Sequence, residues 1–233
     1  MTFGQQKIKG VIFDLDETII DSLGTYAEAF NVGTSSFGLE PVTEKKIAHF
    51  LDQGFRLGRI LVELFPSVFE DDRNRRTCED NIRNAYLKLE AQRVVLKPGV
   101  KRTLQLLKEG GVKVGIVTGR MTEGERKWRE LRRLNIHQFV EAMVTGAEAP
   151  SKPAPDGLTK CIKELGLSAE ECLFVGDSRV DVIAGRKAGV KTIAVHTGVA
   201  DKELLAEERP DYLLGDLNLL ISHLNELPKT EEA

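Results

Sequence analysis

The sequence predicts an α/β protein, a doubly wound and mostly parallel sheet with an inserted α-helical cap domain. Apolar runs of strand length recur at residues 11–13, 112–117, 139–144, 173–175 and 193–195, with a further candidate at 212–214. None alternates polar with apolar residues as a half-solvated strand does, so they read as strands buried on both faces, and helical periodicity fills the segments between the later runs. Residues 21–94 interrupt this alternation with long charged and amphipathic stretches and no strand-like run.

The first strand, 11–13, runs directly into an acidic segment. The insertion that follows carries amphipathic stretches at 44–51, 57–65 and 73–89 and is left at Lys97-Pro98-Gly99-Val100. It predicts a small helical domain at 21–94 threaded into a core of 1–20 and 95–233; helices packed on the sheet itself are the alternative. Leu57, Ile60, Leu61 and Leu64 form a helical stripe suited to the insertion's own core. Farther on, the helix expected at 156–165 ends at Gly166 and that at 181–188 ends at Gly189, each glycine fitting the left-handed position that closes a helix. The tail, 228–233, reads as disordered.

Composition narrows the function class. The chain has 233 residues, with 33 Lys and Arg against 36 Asp and Glu and a net charge of -3. Without a basic excess there is no electrostatic footprint for nucleic acid or an anionic membrane surface, and neither partner is expected. The amino terminus shows no apolar core of signal-peptide length and no apolar run reaches membrane-spanning length, so a cytoplasmic protein is expected. Cys78, Cys161 and Cys172 are odd in number and lack CxxC spacing, which predicts buried, reduced thiols. His49, His137, His196 and His223 are scattered without metal-ligand spacing.

The chemistry gathers at strand ends. The first strand closes in Asp14-Leu15-Asp16-Glu17-Thr18, which places two carboxylates at the carboxyl end of a parallel strand, where ligands bind in open α/β sheets. Two carboxylates so close repel one another and call for a bound cation or a retained proton. The second apolar run enters Thr118-Gly119-Arg120, a hydroxyl and a glycine suited to a phosphate oxygen. After the third comes Ser151-Lys152-Pro153-Ala154-Pro155, a lysine in a stiffened backbone. The fourth ends in Gly176-Asp177-Ser178-Arg179-Val180-Asp181, a second acidic pair. Hard oxygen donors with no histidine cluster suit magnesium better than zinc.

In order and spacing these four segments resemble the haloacid dehalogenase-like superfamily, in its branch of phosphatases with a helical cap after the first motif. The run Ala184-Gly185-Arg186-Lys187-Ala188-Gly189 is phosphoglycolate phosphatase-like. The resemblance implies a magnesium-dependent phosphatase acting on a small phosphorylated metabolite through an aspartyl-phosphate. It implies Asp14 as nucleophile and Asp16 as general acid and base, with Thr118, Gly119 and Lys152 on the phosphoryl oxygens. Magnesium would bind the carboxylates of Asp14 and Asp177 and the backbone carbonyl of Asp16, with Asp181 and Ser178 behind them. Glu17 stands where many members have glycine, and Arg120 where many have asparagine or serine; Arg120 and Arg56 are candidates for gripping a second anionic group of the substrate. A monomer or homodimer is expected.

Other chemistries occur on the same fold. A dehalogenase needs no proton donor and usually lacks the second aspartate, so Asp16 argues against it. Lys45, Lys46, Arg56 and Arg59 leave a phosphonate hydrolase or sugar-phosphate mutase open. A non-enzymatic phosphoryl receiver shares the acidic residues, Thr and Lys but has no use for a large helical insertion.

Overall fold

A computed structural model of the chain describes residues 8–226. The amino-terminal residues 1–7 and the tail expected to be disordered, 228–233, lie outside the described residues. In chain order, β1 (Gly10–Phe13) is followed by a short strand β2 (Ile20–Asp21), then helices α1 (Leu23–Ser35), α2 (Glu44–Asp52), α3 (Leu57–Leu64), α4 (Pro66–Phe69) and α5 (Asp72–Arg93). After β3 (Val95–Leu96) come α6 (Val100–Glu109), β4 (Lys113–Val117), α7 (Glu125–Arg133), β5 (Ala142–Val144) and α8 (Asp156–Leu165). The chain closes with β6 (Cys172–Gly176), α9 (Arg179–Ala188), β7 (Lys191–Val195), α10 (Lys202–Glu207), β8 (Tyr212–Leu214) and α11 (Asn218–Glu226). Contacts divide it into two compact units, one of the residues up to Ile20 with those from Leu96 onward, the other Asp21–Val95.

The first unit contains a six-stranded sheet in the order β5-β4-β1-β6-β7-β8, every neighbouring pair parallel. β1 lies in the middle, with β4 on one side and β6 on the other, so the strand order reverses there. The crevice at the carboxyl ends of β1, β4 and β6 is where such sheets take ligands. The four residues of β1 are all buried, which explains the unbroken apolar run. Glycines let helices approach closely: a Cβ at Gly115 would lie 2.5 Å from Cys161 Sγ on α8, and one at Gly185 2.2 Å from Thr192 Cγ2 on β7.

The second unit has a core of its own, with Phe30, Ile47, Ile60, Leu61, Phe69, Cys78 and Ile82 buried together. Thr43 opens α2 by accepting from the backbone N–H of Lys46, and Asp71 opens α5 by accepting from Arg73 and Asn74. α5 is longer than the stretch 73–89 expected from sequence, by one residue at its start, where Asp71 caps it, and by four at its end.

Two other elements differ from expectation. The third run, 139–144, holds a strand only at Ala142–Val144, preceded by a 3-10 turn at His137–Phe139; apolar residues that close a turn are indistinguishable from strand by hydropathy alone. α9 begins at Arg179 rather than 181, because Ser178 is its N-cap.

Candidate active site

The loop after β1 is set by its backbone. Asp14 N–H donates to Val175 O at 2.8 Å, extending the β1–β6 ladder by one residue and fixing where its carboxylate leaves the strand. The chain then turns tightly, with Ile19 and Ile20 both donating to Leu15 O at 2.9 and 3.0 Å. Glu17 takes a positive φ of 63°, a conformation free for glycine and costing another residue roughly 1–2 kcal/mol. Here the departure from glycine brings a partner, since Lys97 Nζ donates to Glu17 Oε2 at 2.5 Å and to Thr197 O at 3.1 Å. Thr18, fully buried, donates its hydroxyl to Asp177 Oδ1 at 2.8 Å.

Asp177 ends β6. Its second oxygen accepts from Val199 N–H at 2.9 Å, in the loop after β7. Gly198 is required for that approach, because a Cβ there would lie 1.9 Å from Asp177 Oδ2. Asp181 sits one turn on, in a capping box with Ser178: Ser178 N–H and Oγ donate to Asp181 Oδ2 at 3.1 and 2.5 Å. A Cβ at Gly176 would come within 2.5 Å of the Asp181 carboxyl, so that glycine also makes room for an acid.

Lys152 reaches in from the segment after β5. Its ammonium bonds Asp14 Oδ1 and, at 2.5 Å, Asp181 Oδ1. Asp14, Asp177 and Asp181 therefore meet in one buried cluster, with a carboxylate oxygen from each inside a 4.8 Å span. Burial pushes the Asp14 carboxyl up to about 7 against the pull of Lys152. Burial raises Asp177 well above the carboxylate range too, with the charges of Asp14 and Asp181 adding to it. The Lys152 ammonium is disfavoured by burial, yet Asp14 and Asp181 together hold it above the usual lysine value.

Three buried carboxylates around one ammonium leave an excess of negative charge. That imbalance, with oxygen donors alone, fits a hard divalent cation.

Thr118 follows β4, buried, its N–H donating to Val144 O at 3.0 Å and its Oγ1 accepting from Arg120 N–H at 3.2 Å. Gly119 has no atom within 4 Å of where a Cβ would stand, so the loop's backbone is open on that side. The Asp16 side chain is not in the acidic cluster. It is gripped by Arg120, Nε to Oδ2 at 2.9 Å and Nη2 to Oδ1 at 2.7 Å. Arg120 Nη1 donates to Glu130 Oε2 at 2.5 Å. Expected to face a substrate anion, Arg120 has carboxylates of this chain on both edges.

Arg56 belongs to the helical unit, exposed at the N-cap of α3. Its neighbour Arg59 lies over the Phe55 ring at 3.6 Å and pairs with Glu63. Lys97, Gly198, Val199 and Glu130 escaped the sequence reading. A glycine just after β7 offered a faint signal for Gly198, whereas Glu130, in a helix of charges, offered none.

The model of the family described as haloacid dehalogenase-like hydrolase matches residues 11–195. Phosphoglycolate phosphatase 1 of Pseudomonas aeruginosa is 31% identical over 217 residues, covering 91% of this chain and 78% of that protein. A protein of Clostridium perfringens provisionally named pyrophosphatase PpaX is 32% identical over 211 residues, covering 88% and 92%. Among solved structures, one described as a predicted phosphoglycolate phosphatase from Haemophilus somnus superposes with a TM-score of 0.85 at 24% identity, covering 94% of this chain and 99% of that one. No helix among the described residues is long and apolar enough to cross a membrane. The strand-end motifs, the parallel sheet that carries them and the match over 11–195 agree: the chain belongs to the haloacid dehalogenase-like hydrolases, on their phosphoglycolate phosphatase-like branch.

Proposed function

We propose that the protein is a magnesium-dependent phosphomonoesterase of the cytoplasm, hydrolysing a small phosphorylated metabolite such as phosphoglycolate or a sugar phosphate. The observation that carries this reading is the clustering of Asp14, Asp177 and Asp181 at the carboxyl ends of β1 and β6, with Lys152 bonded to Asp14 and Asp181. In it Asp14 attacks phosphorus and becomes an aspartyl-phosphate, dividing one difficult displacement into two. Asp16 gives a proton to the leaving oxygen and later takes one from the water that cleaves the acyl phosphate. Thr118 Oγ1, the open backbone at Gly119 and Lys152 hold the phosphoryl oxygens, with Lys152 kept in place by Asp181. Asp14, Asp177 and the Asp16 carbonyl would hold the magnesium ion, whose charge, when bound, offsets that of the phosphoryl group and its nucleophile. The inserted unit, 21–94, serves as the cap that admits substrate and excludes water, with Arg56 a candidate for reading the rest of the substrate.

The test is phosphate release from p-nitrophenyl phosphate with magnesium and with EDTA, followed by a panel holding phosphoglycolate, sugar phosphates and pyrophosphate. Pyrophosphate belongs in the panel because of the name its relative carries. Magnesium-dependent turnover by the native protein, lost in Asp14→Asn, is expected. No turnover of any ester, or full turnover by Asp14→Asn, overturns the reading.

A further inference from the structure

We propose that Arg120 and Glu130 are positioning residues that together hold Asp16 in the orientation from which it transfers its proton. This rests on the phosphatase reading above and adds two residues to it.

Asp16 keeps 38% of its side-chain exposure, and an aspartate so open would ordinarily sample several rotamers. It is instead held by two parallel bonds from Arg120, at 2.9 and 2.7 Å. A fork of this kind fixes direction as well as distance, which a single contact or a lysine cannot do.

The guanidinium is itself fixed on its other edge. Its third nitrogen donates to Glu130, whose side chain is 9% exposed. Glu130 and Leu131 are the two buried residues of α7, whose other positions are mostly exposed and charged. A buried carboxylate is costly without a cation, so this position is explained by the guanidinium it backs. The Arg120 backbone is tied as well, its N–H to Thr118 Oγ1 and its carbonyl oxygen to Gly146 N–H at 2.9 Å. The loops meet this closely because residue 146 is glycine; a Cβ there would lie 2.5 Å from Gly119 O.

Asp16 is thus registered against the loop that carries Thr118, its side chain still part-exposed. Because Asp16 and Glu130 occupy both edges of the guanidinium, the set acts on the proton step rather than on substrate affinity.

The experiment compares p-nitrophenyl phosphate, whose leaving oxygen needs little protonation, with glycerol phosphate, whose alkoxide needs a proton. With general acid–base catalysis worth about 10²–10⁴-fold, Arg120→Met is expected to lower kcat on glycerol phosphate by about 100-fold and on p-nitrophenyl phosphate by less than about 10-fold. KM should stay within about threefold on both, as for a residue acting on the transition state alone. Arg120→Lys should recover only part of the loss, and Glu130→Gln should show the same ordering with a smaller loss; these milder variants keep the test open if Arg120→Met unfolds. A rise in KM with kcat unchanged makes Arg120 a substrate contact and overturns the proposal. Equal losses on the two esters in Glu130→Gln and Arg120→Lys make the set merely structural and overturn it too. If the native protein turns over neither these two esters nor any member of the panel above, the phosphatase reading falls and this one with it, whereas native turnover with unchanged variants removes the positioning role alone.

Discussion

Asparagine in place of Asp14 is expected to abolish turnover and, in metal-free protein, to make the fold more stable. The Asp14 carboxyl is pushed from 3.8 up to about 7, chiefly by burial. A shift of about three units corresponds to about 4 kcal/mol of preference for the protonated form in the folded state. Because the folded value lies above the unfolded one, the cost is absent below about pH 4, where both states hold the proton. It grows as pH rises through 7 and is complete above. Asparagine has the same shape and no charge, so it escapes this cost, and it also relieves Asp177, which shares the site. Losing the Lys152 contact offsets part of the gain, leaving about 2–4 kcal/mol, or a rise of roughly 5–15 °C in Tm. Thermal unfolding in EDTA near pH 5 and pH 8 measures it. The gap between variant and native protein should widen with pH and shrink when magnesium is added, because the ion binds the native carboxylates. A variant no more stable than the native protein at pH 8, or a gap that ignores pH, would refute the charge imbalance assigned to this site.

Other consequences follow from close contacts and burial. Gly198→Ala places a methyl group 1.9 Å from Asp177 Oδ2, so it should displace that carboxylate and weaken magnesium activation at least about 10-fold, read as the metal concentration for half-maximal turnover. Gly33→Ala, in α1, sets a Cβ 2.3 Å from Ile82 Cγ1 and 2.9 Å from Ile82 N on α5; despite the better helix propensity it should cost about 1–2 kcal/mol, seen in urea unfolding. Burial pushes the thiols of Cys78 and Cys161 up to about 12 and that of Cys172 up to about 11, so a disulfide reagent near pH 8 should label them only after denaturant is added.

Much of the site was legible because strand-end chemistry is local. An apolar strand followed at once by Asp14-Leu15-Asp16 states both where the carboxylates are and that they face the ligand crevice. Gly176, Ser178 and Asp181 likewise form a single turn of chain, with the capping box written in its spacing. Boundaries such as the start of β5 were less legible, since Phe139 and Val140 are apolar for closing a turn rather than for joining the sheet.

The sequence by itself determined the α/β class, the interruption after the first strand and the identity of the acids, because hydrophobic period and motif order are properties of neighbouring residues. Only the tertiary structure decided what each charge faces. Lys97 meets Glu17 across 80 positions, Arg120 meets Asp16 across 104, and Lys152 meets Asp14 across 138. Nothing in the local chain encodes such pairings, because an ion pair depends on distance in space and on the water removed around it, and both are set when the strands of the sheet come together.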